Sequence, residues 1–147
     1  MKKKIAETMR VSIFEVFEKM FYIFLEPLDD ESNEYDMEAA IRFEGFLSGE
    51  MRILLSKDIA KTMIHNMLGL EKDEIITQSM EDCSKEAVNM ICGNFLGKLD
   101  STKVFNLSLP SFGMNSTSIE PGKNVYRMDF DSDEGRVGVI IDANGRV

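Results

Sequence analysis

The residues best suited to chemistry in this chain lie between Ser79 and Leu99. Glu86 and Asn89 are three positions apart, so on a helix they stand side by side. One is an acceptor-only charge and the other a neutral group that both donates and accepts. Such a pair suits positioning rather than proton transfer. A carboxylate forms a charge-assisted contact with an ammonium group on a partner, while an amide holds a water by donating and accepting at once. The chemistry that follows is attack by that water.

A helix must carry them. At roughly 100° per residue, Met80, Cys83, Ala87, Met90 and Ile91 gather on one side, while Asp82, Glu86, Asn89 and Gly93 line the other. The first group reads as core and the second as a site. Thr77 or Ser79 is placed to cap the helix, which runs to Leu99. Gly93 and Gly97 lie inside it, and each costs about 1 kcal/mol relative to Ala, so packing, a bend or the close approach of a partner must retain at least one. Gly93 shares the polar face, where close approach is the option of most interest. A purely structural helix with solvated Asp82, Glu86 and Asn89 is the competing account, and an exposed groove beside that face would argue against it.

Other chemistries find little support. His65 is the only histidine, so a histidine-based metal site or a Ser-His-Asp triad would rest on that single ring, which reads as a surface or packing residue. Cys83 and Cys92 are nine residues apart, on opposing faces of a regular helix, and read as two buried reduced thiols. Seventeen Lys and Arg against 26 Asp and Glu leave a formal charge of -9, which repels phosphate backbones and anionic lipid and makes nucleic acid and membrane unsuitable partners. Lys2-Lys3-Lys4 begins like a signal peptide, but Glu7, Arg10, Glu15 and Glu18 interrupt the apolar region one would need, and a cytoplasmic location is expected.

The surrounding chain supplies the scaffold. Ile5, Met9, Ile13, Phe17, Met20, Phe21 and Phe24 recur at helical spacing from Lys4 to about Leu25, and Pro27 stops the run. An acidic loop, Asp29 to Glu34, follows. Met37, Ala39, Ile41 and Phe43 alternate as a strand, a turn spans Gly45 to Gly49, and Met51, Ile53 and Leu55 form its hairpin partner. Ser56 is placed to cap a short helix that ends at Gly69. Phe105, Leu107 and Leu109 predict a strand whose ladder closes at Pro110. Past a Gly- and Ser-rich stretch, Val125 to Phe130 and Val137 to Ile141 form a second hairpin. No linker divides residues 1–147, so one domain is expected, of α+β class, with long helices packed on a mainly antiparallel sheet. The eleven Met and ten Phe, at helical and alternating spacing, are assigned to its core.

Asp82-x-x-x-Glu86-x-x-Asn89 is followed by Gly93, by Asn94-Phe95-Leu96-Gly97 and by Leu107-Ser108-Leu109-Pro110. This pattern resembles the CheX branch of the CheC, CheX and FliY family of bacterial chemotaxis phosphatases, whose motif is an Asp or Ser, a Glu four residues later, an Asn three further on, and a later Pro. Pro110 comes slightly early, as a shortened loop would place it. The order of helices and hairpins is similar over the whole chain. The resemblance implies a phosphatase acting on the aspartyl phosphate of a CheY-type response regulator. Glu86 would pair with a lysine of the regulator, and Asn89 would enter its pocket to orient the attacking water. Asp82, Gly93 and Pro110 would be supporting. It implies no metal or cofactor on this chain, Mg2+ in the regulator's own pocket, and a homodimer. CheC-like members carry a second motif on the first helix. Here Glu15 is followed at the third position by Glu18 rather than Asn, so one site per chain is expected. The alternative within the same fold is a non-catalytic module that docks on a response regulator or in a flagellar switch, where Glu86 would be needed without Asn89.

Overall fold

Alternation builds the sheet. Met37, Ala39, Ile41 and Phe43 are buried on one face of β2 (Met37–Glu44), and Met51, Ile53 and Leu55 on the same face of β3 (Leu47–Leu55). The computed structural model describes residues 2–32, 35–114 and 124–145. Asn33 and Glu34 of the acidic loop, and most of the Gly- and Ser-rich stretch, lie outside the described residues. The turn joining β2 to β3 takes only Gly45 and Phe46, shorter than the spacing suggested. Gly49 lies within β3, where a Cβ would run into the Asp142 carbonyl of the neighbouring strand.

β3 pairs on its other side with β7 (Gly135–Gly145), which forms the expected hairpin with β6 (Val125–Ser132). Two outer pieces complete one edge, β4 (Asn106–Leu107) and β5 (Ser111–Gly113), both on β2, and β1 (Glu26–Pro27) lies on β6 at the other. The order is β1-β6-β7-β3-β2-β4, with β5 also on β2, and every pairing is antiparallel. Pro27 thus sits at a sheet edge, where no ladder donor is required of it.

Three helices pack on one face. α1 (Lys2–Phe21) ends earlier than Pro27 predicts, because Tyr22 turns the chain with a left-handed φ of 56° and the Ile23 amide donates to the Phe17 carbonyl at 3.0 Å. Phe24, expected on the buried face, falls past the helix end and is exposed. α2 (Lys57–Leu68) begins after Ser56, which holds the N-cap position as expected but makes no side-chain capping bond. Its hydroxyl accepts from the Arg136 amide at 3.0 Å, and Asp36 supplies the side-chain bond by accepting from the Lys57 amide at 2.7 Å. Gly69 ends the helix in the left-handed conformation, φ 73°. α3 (Thr77–Leu99) starts after Ile76 with no side-chain cap, so neither Thr77 nor Ser79 serves as one.

α3 is the central helix, packed on α1, α2, β2 and β3. Met80, Cys83, Ala87, Val88, Ile91, Cys92, Phe95 and Leu96 are all buried. Cover on several sides explains how two cysteines on opposing faces are both interior, and that burial pushes the Cys92 thiol up to about 12. Met90, expected in the core, is instead exposed. The buried side chains form one cluster drawn from all three helices and the inner sheet face.

The opposite sheet face is polar and strapped. The segment after β1 crosses it, and Asp129 on β6, 5% exposed, accepts from the Ser32 amide at 3.0 Å, the Tyr35 hydroxyl at 2.6 Å and Arg127 at 2.9 Å. Gly138 leaves room for the Tyr35 ring, which a Cβ there would meet at about 3 Å.

Candidate functional site

Rigidity comes first. The buried Ala87, Val88, Ile91 and Cys92 fix the rotation of α3, and this turns Glu86 and Asn89 outward at one edge of the helical layer. Glu86 is exposed and Asn89 half-buried, and neither side chain has a hydrogen bond or ion pair among the described residues. They line an open cleft of about 360 Å³ with Asp82 and Lys85 on the α3 side and Leu107, Ser108, Leu109 and Pro110 opposite. The exposed groove that would argue against a purely structural helix is therefore present.

The α3 wall has its own internal order. Asp82 accepts from Gln78 at 3.0 Å, one turn back, rather than bonding to Glu86. Lys85, which no sequence motif marks, is held by Glu81 at 3.0 Å. The only spacing signal for it was the ordinary four-residue charge pair. The charge of Glu86 is felt beneath the surface: burial first, and the nearby carboxylate second, push the Cys83 thiol up to about 12. An attacking thiolate is not available there.

The opposite wall departs from the expected continuous strand. Leu107 stands opposite Phe43, the Ser108 amide donates to the Arg42 carbonyl at 2.9 Å, and the Arg42 amide donates to the Ser108 hydroxyl at 3.0 Å. The ladder resumes with Ser111 opposite Ala40. Leu109 and Pro110 together therefore face the single residue Ile41, which is a β-bulge. Pro110 has no amide to give the ladder, so the extra residue falls there. It interrupts the ladder instead of closing it. Leu107, 39% exposed, and Leu109, 92% exposed, are consequently not core residues. Of this wall the sequence singled out only Pro110, as supporting, and gave Leu107 and Leu109 no role; a proline inside an alternating run was the available signal for the bulge.

Gly93 continues the polar stripe one turn beyond Asn89. A Cβ there would meet nothing within 4 Å, and the same holds at Gly97. Contacts among the described residues therefore do not demand glycine at either position.

The matching face of α1 is occupied differently. Glu15 accepts from Lys98 and from Lys19, each at 2.9 Å, and these two bonds, that of Lys98 first, hold its carboxyl below the usual range. His65 is tied down by Nδ1, 2.7 Å from the Leu70 carbonyl, at the end of α2. Among the described residues no cluster of three or more His, Cys, Asp or Glu side chains could hold a metal ion, and no helix is long and apolar enough to cross a membrane.

Residues 37–131, which span β2 to β6 and include both walls of the cleft, match the family described as Chemotaxis phosphatase CheX. The chain belongs to this family. The fold agrees with solved CheX structures. A chemotaxis protein CheX from Vibrio vulnificus is 22% identical, covers 95% of this chain and 96% of its own, and superposes with a TM-score of 0.81. One from Desulfovibrio desulfuricans is 24% identical over 95% of this chain and 99% of its own, at 0.79. A third, from a CheX-CheY-BeF3-Mg complex of Borrelia burgdorferi, is 18% identical over 94% of this chain and 96% of its own, at 0.73. No curated protein sequence matches the chain.

Proposed function

We propose that this CheX-family protein hydrolyses the aspartyl phosphate of a CheY-type response regulator, with Glu86 and Asn89 as the residues it inserts. The observation that carries the reading is the cleft: the one glutamate and one asparagine that the family motif singles out share its rigid wall and spend no hydrogen bond on the described residues of their own chain. A similar fold from Borrelia burgdorferi is found in a complex with CheY, BeF3 and Mg, which supports the choice of partner.

In this mechanism Glu86 forms a charge-assisted pair with a lysine of the regulator and fixes the docking register. Asn89 then reaches the acyl phosphate and holds a water in line with the phosphorus. Attack by the water oxygen breaks the bond between phosphorus and the aspartyl oxygen, which releases inorganic phosphate and returns the regulator's carboxylate. Phosphoryl transfer is driven by positioning and electrostatic stabilisation, so an amide that orients water supplies what the step needs, as the glutamine does in small GTPases. The magnesium belongs to the regulator's pocket. Asp82 and Pro110 shape the cleft around the pair, and Gly93 leaves the helix surface open one turn beyond Asn89. On the same reading the protein acts in the cytoplasm as a homodimer, for which β6 offers an edge that β1 covers over only two residues.

The test is the decay of phosphorylated regulator with wild-type protein and with Asn89→Ala. Loss on the order of 100-fold in rate is expected for the variant, the scale of a misplaced reacting group, with binding partly retained. Equal decay with both proteins removes Asn89 from the mechanism. No acceleration by wild type, with binding intact, leaves the non-catalytic docking module as the correct account.

A further inference from the structure

Polar residues make one wall of the cleft and leucines the other, and the second wall is as deliberately held as the first. Ser108 is fixed to β2 through both the amide and the hydroxyl, and β5 resumes the ladder directly after Pro110. The bulge is therefore anchored at both ends. Without it, alternation would place Leu109 beside Leu107 on the helix-facing side of the edge strand; with it, Leu109 is almost wholly in solvent. An exposed leucine on a pinned backbone contributes nothing to this chain's core, and bulges next to sites commonly re-aim a side chain.

We propose that Leu109, with Leu107 beside it, is a docking surface for the regulator: the two side chains seat on an apolar patch of the phosphorylated receiver and determine how tightly it is held, not how fast its phosphoryl group is hydrolysed. The inference rests on the reading of Glu86 and Asn89 given above and adds the residues that set affinity. The cleft is open and about 360 Å³, a shape that a protuberant protein surface fills better than a small molecule enclosed on most sides. Any macromolecule that brings a group to Asn89 must also lay surface on the facing wall, because both walls line one cleft. Charge divides the work. The acidic Glu86 selects a cationic group on the partner, while the leucines exclude water around it and give the contact its dry centre.

The experiment is steady-state dephosphorylation of a CheY-type regulator by wild type, Leu109→Ser and Leu109→Met. It is paired with binding of the same regulator held in its phosphorylated form by beryllofluoride and magnesium. Leu109→Ser is expected to raise KM about tenfold, as loss of an apolar anchor does, with kcat unchanged and the loss insensitive to salt. Leu109→Met is expected to restore most of the affinity. The residue is fully outside the core, so the serine variant folds as wild type does. If wild type dephosphorylates and Leu109→Ser does so with the same KM, the docking role is overturned while the catalytic reading stands. If Leu109→Ser lowers kcat instead, the wall acts on chemistry and the proposal is wrong. If it changes the sedimentation of the free protein but not KM, the occupant is a second copy of this chain, and that also overturns it. A wild type that neither binds nor dephosphorylates the regulator removes the catalytic reading and this inference together.

Discussion

Among the described residues, two clefts of nearly equal size differ in what they do with their central polar groups. One, of about 370 Å³, lies between α1 and the β1–β6 edge and is lined by Arg10, Asp29, Asp30, Glu31, Arg127 and Asp129. Its central charges answer one another: Arg127 reaches Asp129 at 2.9 Å and Glu31 at 3.4 Å, and Asp129 also takes the Tyr35 hydroxyl and the Ser32 amide. The other, between α3 and the β4–β5 bulge, leaves Glu86 and Asn89 without a partner among the described residues. A satisfied buried carboxylate holds a loop on a sheet. An unsatisfied pair on a rigid helix is available to another molecule. Volume does not distinguish the two clefts, and each has charged groups without a partner among the described residues. What differs is that the first is built on a buried carboxylate answered by its own chain, whereas in the second the glutamate and asparagine on the rigid helix are left open.

This contrast breaks if the two clefts respond alike to mutation. Asn89→Ala is expected to lose on the order of 100-fold in dephosphorylation rate while its unfolding free energy stays within about 0.5 kcal/mol of wild type. Asp129→Ala should do the reverse, costing about 2 kcal/mol in a urea titration because Tyr35 and the Ser32 amide lose their acceptor, with kcat kept. Acid dependence sharpens the test. Burial pushes the Asp129 carboxyl up, but the hydrogen bonds from Arg127, Tyr35 and Ser32 outweigh it and hold the group below the usual carboxylate range. A pKa lower in the folded than in the unfolded chain contributes stability above the unfolded value, and that contribution is lost as pH falls through the folded one. Wild type should therefore lose this increment below about pH 4, and Asp129→Ala should show a correspondingly flatter acid limb.

Gly93→Ala has a smaller effect, and its two components have opposite signs. A methyl group there meets nothing within 4 Å, so helix propensity alone should stabilise the protein by about 1 kcal/mol. If a partner surface comes close at this turn, the same methyl should weaken docking by about 1 kcal/mol, read as a roughly fivefold rise in KM. A variant that is more stable and docks unchanged would mean that Gly93 has no part in partner approach.

Much of this was legible in the sequence wherever one periodicity governed a whole element. The β2 alternation, the C-terminal hairpin, Gly69 at the end of α2 and the Glu86–Asn89 face needed only local pattern. What the sequence hid was set by contacts between distant segments. Ser56 sits at the N-cap of α2, but Asp36 supplies the side-chain bond there because the chain before β2 passes that helix end. Met90 is exposed because it falls just outside the arc of α3 that its neighbours cover. The bulge depends on which β2 residue each of Leu107 to Ser111 faces, and register between remote strands is not written in either strand alone. The candidate pair was readable from α3, whereas the wall opposite it needed the fold.

The smallest expected effect is the one that tests whether spacing alone makes a site. On α1, Glu15 and Glu18 stand at the interval that separates Glu86 from Asn89, and Glu18→Asn recreates the pattern in type as well as spacing. Glu15, however, is already engaged by Lys98 of α3 and Lys19 one turn on, each at 2.9 Å. A carboxylate held by two ammonium groups of its own chain cannot be given to a regulator's lysine without losing both bonds, and an asparagine beside it would have no docked partner in which to place a water. Glu18→Asn should leave the dephosphorylation rate of the wild-type protein unchanged. Combined with Asn89→Ala it should restore none of the lost activity. A restored rate in that double variant would show that the glutamate–asparagine spacing suffices wherever a helix carries it, and would remove the distinction between a carboxylate spent on the fold and one kept for a partner.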